Sequence, residues 1–239
     1  MPDPIPRALS GLGQDIFDKI HRPLLTSSKN FDRVSSYFGP KGLAKAITEI
    51  AEIWKAGGKI RLILSPADTS EIHQALENVT NEDGRKRNTI KKSIEIAVQK
   101  IKGNHPEVVS ALEEMLLNDL LQVAIVIPKE GNGLFHSKFS IYHIESDSEI
   151  GKHLDPEISK YVAVHGSFNE SDAGYGKNIE DASTHRSWNP SECEVAQIFK
   201  LRFDELWNDF APDTISIPIT NSIKRALNIR SDYSRTSNP

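Results

Sequence analysis

DRVSSYFGPKGLAKAITEIAEIWKAGGKIRLILS, residues 32–65, is the stretch on which the fold of this chain turns. Residues 32–38 read as a strand that stops at Gly39-Pro40. Leu43, Ile47, Ile50 and Trp54 then recur at helical spacing, which predicts a helix over 41–56 closed by Gly57-Gly58. From Lys59 to Ser65, Ile60, Leu62 and Leu64 alternate with Arg61 and Ile63, the two-residue period of a strand. Strand, helix and strand joined by such short punctuation predict a parallel crossover unit, and hence an α/β chain.

The same reading extends outward. Asp68 and Glu71 have capping-box spacing for a helix through the late seventies, and Ile90, Ile94, Ala97, Val98 and Ile101 mark a further amphipathic helix. Pro106 opens another, with Val109, Leu112 and Leu116 as its stripe. Leu120–Ile127 reads as a buried strand ended by Pro128; after a turn, a second strand covers Leu134–Ile144. Residues 145–159 are charged and broken by Gly151 and Pro156, a surface loop. Strands follow at Tyr161–His165 and Asn178–Ser187. Ser191 and Glu194 give a second capping-box spacing for a helix bearing Val195, Ile198, Phe199, Phe203, Leu206 and Trp207. Beyond Ala211, Pro212, Pro218 and a short apolar helix around Ile223–Ile229 read as a tail or linker. The expected organisation is an N-terminal extension over 1–29, a main domain over 30–210 and a C-terminal tail over 211–239.

The chain has 239 residues, 38% of them hydrophobic, enough for a real core in one large domain or in one domain with a smaller appendage. No stretch has the length of a membrane span and no leader segment stands out, so a cytoplasmic protein without membrane association is expected. Cys193 is the single cysteine, which excludes an intramolecular disulfide and a cysteine-rich zinc site. With 33 acidic and 29 basic residues the formal charge is -4, so any footprint for nucleic acid must be local. The candidate is Arg85, Lys86, Arg87, Lys91, Lys92, Lys100 and Lys102, interrupted only by Glu95. It reads equally as a solvated helix face with its leading loop or as a phosphate-contacting patch.

Two short segments carry the chemistry. In the strand from Leu134, the residues Phe135, Ser137, Phe139 and Ile141 share one face, and Leu134, His136, Lys138, Ser140 and Tyr142 the other. The more apolar set is expected to look into the core against a helix, leaving His136 and Lys138 facing a cleft. The second segment is Gly166-Ser167-Phe168-Asn169, at the end of an apolar run. Gly166 would let backbone approach an anion, Ser167 and Asn169 would donate hydrogen bonds, and Phe168 would point into the core. These residue types also favour plain turns. Asn178 and Glu180 add a third contribution, with Ile179 between them facing inward.

The pattern His136-x-Lys138, Gly166-Ser167-Phe168-Asn169, Asn178-x-Glu180 resembles the catalytic signature of the phospholipase D superfamily. It is most similar to the single-motif nuclease branch and to the phospholipase D-like domains placed ahead of helicase modules in bacterial proteins. Val34-Ser35-Ser36-Tyr37-Phe38, Gly57-Gly58-Lys59-Ile60-Arg61-Leu62 and Phe203-Asp204-Glu205-Leu206-Trp207 add weaker likenesses to the helicase-associated type, over residues 30–210 in all. One position departs: where the family motif places an aspartate five residues after the lysine, this chain has His143. Tyrosyl-DNA phosphodiesterases of the same superfamily lack that aspartate too.

The resemblance implies a mixed, mainly parallel β-sheet flanked by helices. It implies His136, Lys138, Ser167, Asn169 and Glu180 as catalytic residues, with Lys138, Ser167 and Asn169 on the phosphate and Glu180 orienting an imidazole. Family members carry two such motifs or dimerise. None of His21, His73 and His105 stands two residues before a lysine in an apolar strand, so a homodimer with two facing His136 rings is implied. The implied reaction is phosphodiester hydrolysis through a phosphohistidine, with no metal and no other cofactor. DNA is the favoured substrate, with Arg85, Lys86, Arg87, Lys91 and Lys92 as contacts and a helicase or ATPase module in the same or a partner chain. A phospholipid phosphodiesterase and a noncatalytic DNA-targeting module stay open. His143, His165 and His185 are expected to be structural or surface residues.

Overall fold

The computed structural model describes residues 5–35, 53, 57–65, 106–129, 135–167 and 178–228. In chain order the elements are β1 (Ala8–Leu12), α1 (Gly13–Ile16) continuing through a π-helical turn (Phe17–His21) into α2 (Arg22–Thr26), β2 (Ser28–Ser35), β3 (Lys59–Leu64) and α3 (Pro106–Leu117). There follow β4 (Leu121–Pro128), β5 (Phe139–Ile144), β6 (Tyr161–Gly166), β7 (Ile179–Arg186), α4 (Cys193–Trp207), β8 (Thr214–Pro218) and α5 (Thr220–Ala226). The strands form one sheet in the order β1-β7-β6-β5-β2-β3-β4-β8.

Parallel pairing links β2 to β3 and β3 to β4, as the crossover reading of residues 32–65 requires. Every other pairing is antiparallel. The sheet is therefore mixed and flanked by helices, but parallel pairing is confined to β2, β3 and β4 and is not its majority. The physical reason lies in the connections. The links from β5 to β6 and from β6 to β7 hold no long helix among the described residues, and strands joined without a crossover run antiparallel. The expected helix over 41–56 lies outside the described residues apart from Ile53. Its end is visible: Gly57 has φ 71°, and the Gly58 N–H donates to the Ile53 carbonyl at 3.1 Å, the glycine stop expected there.

Both faces of the sheet are covered. On one, Leu62, Val123, Tyr142, Val164 and Ile217 pack with Ile16, Ile20 and Leu24 of the N-terminal helical segment, Leu116 of α3 and Ile223 of α5. On the other, Val34, Ile63, Val126, Phe139, Ile141 and Ala163 pack under Ala196, Phe203 and Leu206 of α4. The two-residue alternation of β3 and β5 thus divides as the sequence predicts. The inference that one face of β5 is open does not hold along its length, because Ser140 and Tyr142 are also fully buried. Only the strand's start can border a cleft.

The sheet reaches beyond residues 30–210. β1 pairs with β7 at one edge and β8 with β4 at the other, so strands from both 1–29 and 211–239 complete it. Helix α4 begins without the expected Ser191–Glu194 box. The Ser191 hydroxyl donates to Asn189 Oδ1 at 2.9 Å, and Glu192 occupies the cap position with its carboxylate on the Arg186 guanidinium and backbone N–H (2.8 and 3.0 Å). The Asn189 carbonyl takes the Glu192 and Cys193 N–H groups instead (2.9 and 2.8 Å). Among the described residues no helix is long and apolar enough to cross a membrane.

Candidate active site

Strand β2 is where the sheet changes sense: β3 runs parallel on one side and β5 antiparallel on the other. In open α/β sheets the crevice beyond the carboxyl ends of the strands, at such a switch, is the ordinary place for a ligand. The C-terminal ends of β2, β3 and β6 and the N-terminal ends of β5 and β7 all lie at this edge. The residues singled out in the sequence that the structure describes gather here.

The strand expected to start at Leu134 starts at Phe139, where β5 meets His165 of β6 and Val34 of β2. Residues 135–138 lie before the ladder. His136 is exposed on this approach, whereas Lys138 is 9% exposed. The Lys138 Nζ lies 3.1 Å from Nδ1 and 3.0 Å from Nε2 of His136, so whichever ring nitrogen bears the lone pair can accept from it. Burial first, then the nearby charge of Arg33, draws the Lys138 ammonium below its ordinary value, and Glu180 works against both.

The Gly166 N–H points to the Lys138 carbonyl at 3.4 Å, which brings the end of β6 against the start of β5. Ser167 follows. Its hydroxyl donates to Glu180 Oε2 and accepts the Asp181 N–H at 3.0 Å, while Asn178 Nδ2 donates to Glu180 Oε1 at 3.2 Å. Glu180 is only 7% exposed. Ser167 therefore holds Glu180, with its single proton committed to that carboxylate rather than to an incoming anion.

Two details differ from expectation. The room left by the missing side chain of Gly166 is taken by β7: a Cβ there would collide with the Asp181 carbonyl oxygen. The glycine serves strand approach rather than anion access. Ile179, expected to face inward, is 79% exposed, because it opens β7 opposite Leu12, the exposed last residue of the edge strand β1. Phe168 and Asn169, together with Arg85, Lys86, Arg87, Lys91 and Lys92 of the basic patch, lie outside the described residues.

Sequence reading missed the polar residues of β2. Arg33 is 1% exposed and donates to the Ser140 hydroxyl at 2.8 Å, two residues along the chain from Lys138. The signal was an arginine between Phe31 and Val34 in a strand that must be buried. Its neighbour Asp32, 1% exposed, faces the other way. Both Asp32 oxygens accept from Arg61 at 2.6 Å, and His143 Nε2 donates to Oδ2 at 2.8 Å. Arg61 in turn lies over the rings of Phe203 and Trp207 (4.7 and 5.4 Å). Burial would raise the Asp32 carboxyl, but the His143 and Arg61 hydrogen bonds outweigh it and hold the group below its ordinary value. His143 is thus tied to an aspartate of the adjacent strand.

His165 and His185 are packed against Phe199 of α4, with His165 Nδ1 2.9 Å from the Ser183 hydroxyl, and burial lowers both imidazoles below their ordinary value. Among the described residues no three His, Cys, Asp or Glu side chains converge as a metal-binding set.

No protein-family model matches the chain, and no curated protein matches it in sequence. Solved structures do. The phosphatidylserine synthase of Haemophilus influenzae Rd KW20 superposes with a TM-score of 0.50 at 13% identity, over 88% of this chain and 39% of the synthase. NucT from Helicobacter pylori gives 0.47 at 10% identity, over 87% of this chain and 96% of NucT. Nuc from Salmonella typhimurium, a phospholipase D family member, gives 0.41 at 14%, over 84% and 93%. At 13% identity the likeness to the synthase is one of fold alone.

Proposed function

We propose that the chain is a phosphodiesterase of the phospholipase D type that cleaves DNA through a phosphohistidine, in a site completed by a second copy of the chain. The observation that supports this reading is a meeting at one sheet edge: an exposed imidazole against a buried ammonium, beside the Ser167–Glu180–Asn178 cluster.

In the proposed reaction a neutral His136 nitrogen gives its lone pair to phosphorus. The P–N bond forms as the P–O bond to the leaving alcohol breaks, and the protonated His136 of the partner subunit gives its proton to that oxygen. The partner's imidazole, now neutral, takes a proton from water as the water oxygen attacks phosphorus. The P–N electrons return to the first imidazole, so the sum is one diester and one water consumed, one monoester and one alcohol released. Lys138 and Asn169 hold the nonbridging oxygens. Phosphate oxygens draw the Lys138 ammonium off the ring it touches in the free protein, which releases the lone pair. The basic segment over 85–102 carries the flanking DNA phosphates, and delivery by an ATP-driven module in the same or another chain fits this role.

The test compares DNA and phospholipid vesicles as substrates for the purified full chain in EDTA. DNA cleavage is expected to persist in the chelator, and His136→Ala to lower it by about 10²–10⁴-fold, the scale of a lost acid–base group. Cleavage that disappears with EDTA overturns the mechanism. DNA binding without turnover, equal in His136→Ala, identifies a noncatalytic targeting module, and turnover of lipid alone moves the substrate class. Neutralising Lys91 and Lys92 should make the salt slope of DNA binding shallower, by about one for each phosphate no longer neutralised.

A further inference from the structure

Where β1 runs along β7, one face of the sheet is open. Cross-strand partners share a face, so Ala8 and Ser183, Ser10 and Asp181, and Leu12 and Ile179 make three pairs in a row. Ser183 is also opposite His165 of β6, whose ring lies on Phe199 of α4 at 4.9 Å. The strip therefore continues the face that α4 covers. Ala8, Ser10 and Asp181 are exposed, and Leu12 and Ile179 are exposed to 49% and 79%.

Between the covered and the open part is a cavity of about 370 Å³, lined among others by Ser10, His165, Gly166, Asp181 and Ser183. Its volume is that of a small-molecule site, for which about 300–1,000 Å³ is usual. The Ser183 hydroxyl is 2.9 Å from His165 Nδ1. Burial holds the His165 imidazole below its ordinary value, so at neutral pH the ring is uncharged and carries one N–H. Asp181 is fixed through its backbone: its N–H donates to the Ser167 hydroxyl and its carbonyl accepts the Ser167 N–H, both at 3.0 Å. Among the described residues none bonds its carboxylate. The cavity wall also adjoins the proposed catalytic edge, since the Gly166 N–H points to the Lys138 carbonyl at 3.4 Å.

This lining sorts possible occupants by chemistry. An unpaired carboxylate repels phosphate and accepts from N–H groups. An imidazole backed by a phenyl ring, with exposed aliphatic side chains along the strip, suits a flat ring. Unstacked bases of single-stranded nucleic acid are held in this way, by ring stacking and by polar groups at their pairing edge. Guanine alone among the DNA bases presents two adjacent donors there, N1–H and the N2 amino group, to match the two oxygens of a carboxylate.

We propose that this cavity is a guanine-binding site, filled by a base of the substrate strand, with Asp181 accepting from N1–H and N2–H and the His165–Ser183 pair as the wall beside the ring. The occupant rests on the reading of the chain as a DNA phosphodiesterase, but guanine binding is measured without cleavage and without a phosphate.

The experiment titrates the full chain with each of the four deoxynucleosides, followed by NMR. Deoxyguanosine is expected to shift the signals of His165, Asp181 and Ser183 and to bind about 5- to 150-fold more tightly than the others, the scale of one bidentate side chain–base pair. Asp181→Asn should remove that preference, and Ser10→Phe, which fills the cavity, should abolish binding. Both side chains are exposed, so both variants are expected to fold. On single-stranded DNA the wild type should cut beside guanines and Asp181→Asn without preference. Equal binding of the four nucleosides, or a guanine preference that survives in Asp181→Asn, overturns the proposal and leaves the phosphodiesterase reading intact. Guanine binding with cutting indifferent to sequence overturns its place on the substrate strand and assigns the cavity to a free guanine nucleotide. Should no DNA be cut while Asp181-dependent guanine binding appears, the cleavage reading falls and the guanine site stands.

Discussion

His136 and Lys138 are two residues apart yet live in different media, one in solvent and the other mostly buried. In the proposed reaction that contrast divides their roles: an exposed ring can reach a phosphorus atom, and a mostly buried ammonium binds an anion more strongly than a free one. The pair was legible from spacing alone, since no structure is needed to see a histidine and a lysine on one side of an extended segment. Arg33 and Asp32 were not legible as a pair of opposites. Adjacent strand residues face opposite layers, and only knowing that both layers are packed makes each of them a buried charge in need of partners. Asp32 gives the sharper forecast. Asp32→Asn leaves Arg61, about a quarter exposed beside its aromatic rings, with a weakened acceptor, and a hydrogen bond to a charged group is worth about 1.5–3 kcal/mol. Urea denaturation should register it, and a loss under about 1 kcal/mol would mean that Arg61 finds Asp204, 3.8 Å away, as a full substitute.

At the scale of elements, strand identity was easier to read than strand limits. β3, β4, β6 and β7 begin or end within about one or two residues of the alternating pattern. β5 does not, because alternation continues through His136 while the ladder begins only where Phe139 meets β2 and β6. Pattern reports which residues prefer an extended chain, not which have a neighbour to bond. The start of α4 shows the same limit, with Glu192 drawn to Arg186 by a charge contact that spacing cannot reveal. Gly166 is the element-level test. Gly166→Ala forces β6 and β7 apart at the point where Ser167 grips Glu180, with overpacking worth about 1–3 kcal/mol. Thermal denaturation should show that loss together with a drop in DNA cleavage. A variant as stable as wild type would mean that the strands separate without cost and that the Ser167–Glu180 contact does not depend on their closeness.

For the molecule as a whole, the parallel β2–β3 pair follows from residues 32–65, whereas both outer strands were read as extension or tail. β1 is short and carries three small residues among five, and β8 ends in proline, so neither advertises itself as sheet. Two measurements belong at this scale. Mixing wild-type and His136→Ala chains should lower cleavage as the square of the wild-type fraction if two copies make one site, and linearly if each acts alone. Stability should also fall as the solution is acidified. Burial holds His21, His165 and His185 below 6.5, so the unfolded chain binds more protons once pH drops under that value. Asp32, depressed below 3.8, keeps its contribution until lower pH and loses it as pH falls through its folded value. A melting temperature that is flat between about pH 7 and pH 5 would contradict the histidine part.

The two flanking strands also set what a minimal version of this protein must contain. A fragment cut to residues 30–210, the span marked by the recognition motifs, would strip β7 and β4 of their outer partners. Two long rows of backbone donors and acceptors, one of them on the apolar strand Leu121–Pro128, would then lie bare as templates for other chains. Such a fragment is expected to precipitate or to exchange strands between molecules, and its failure would say nothing about the chemistry at His136.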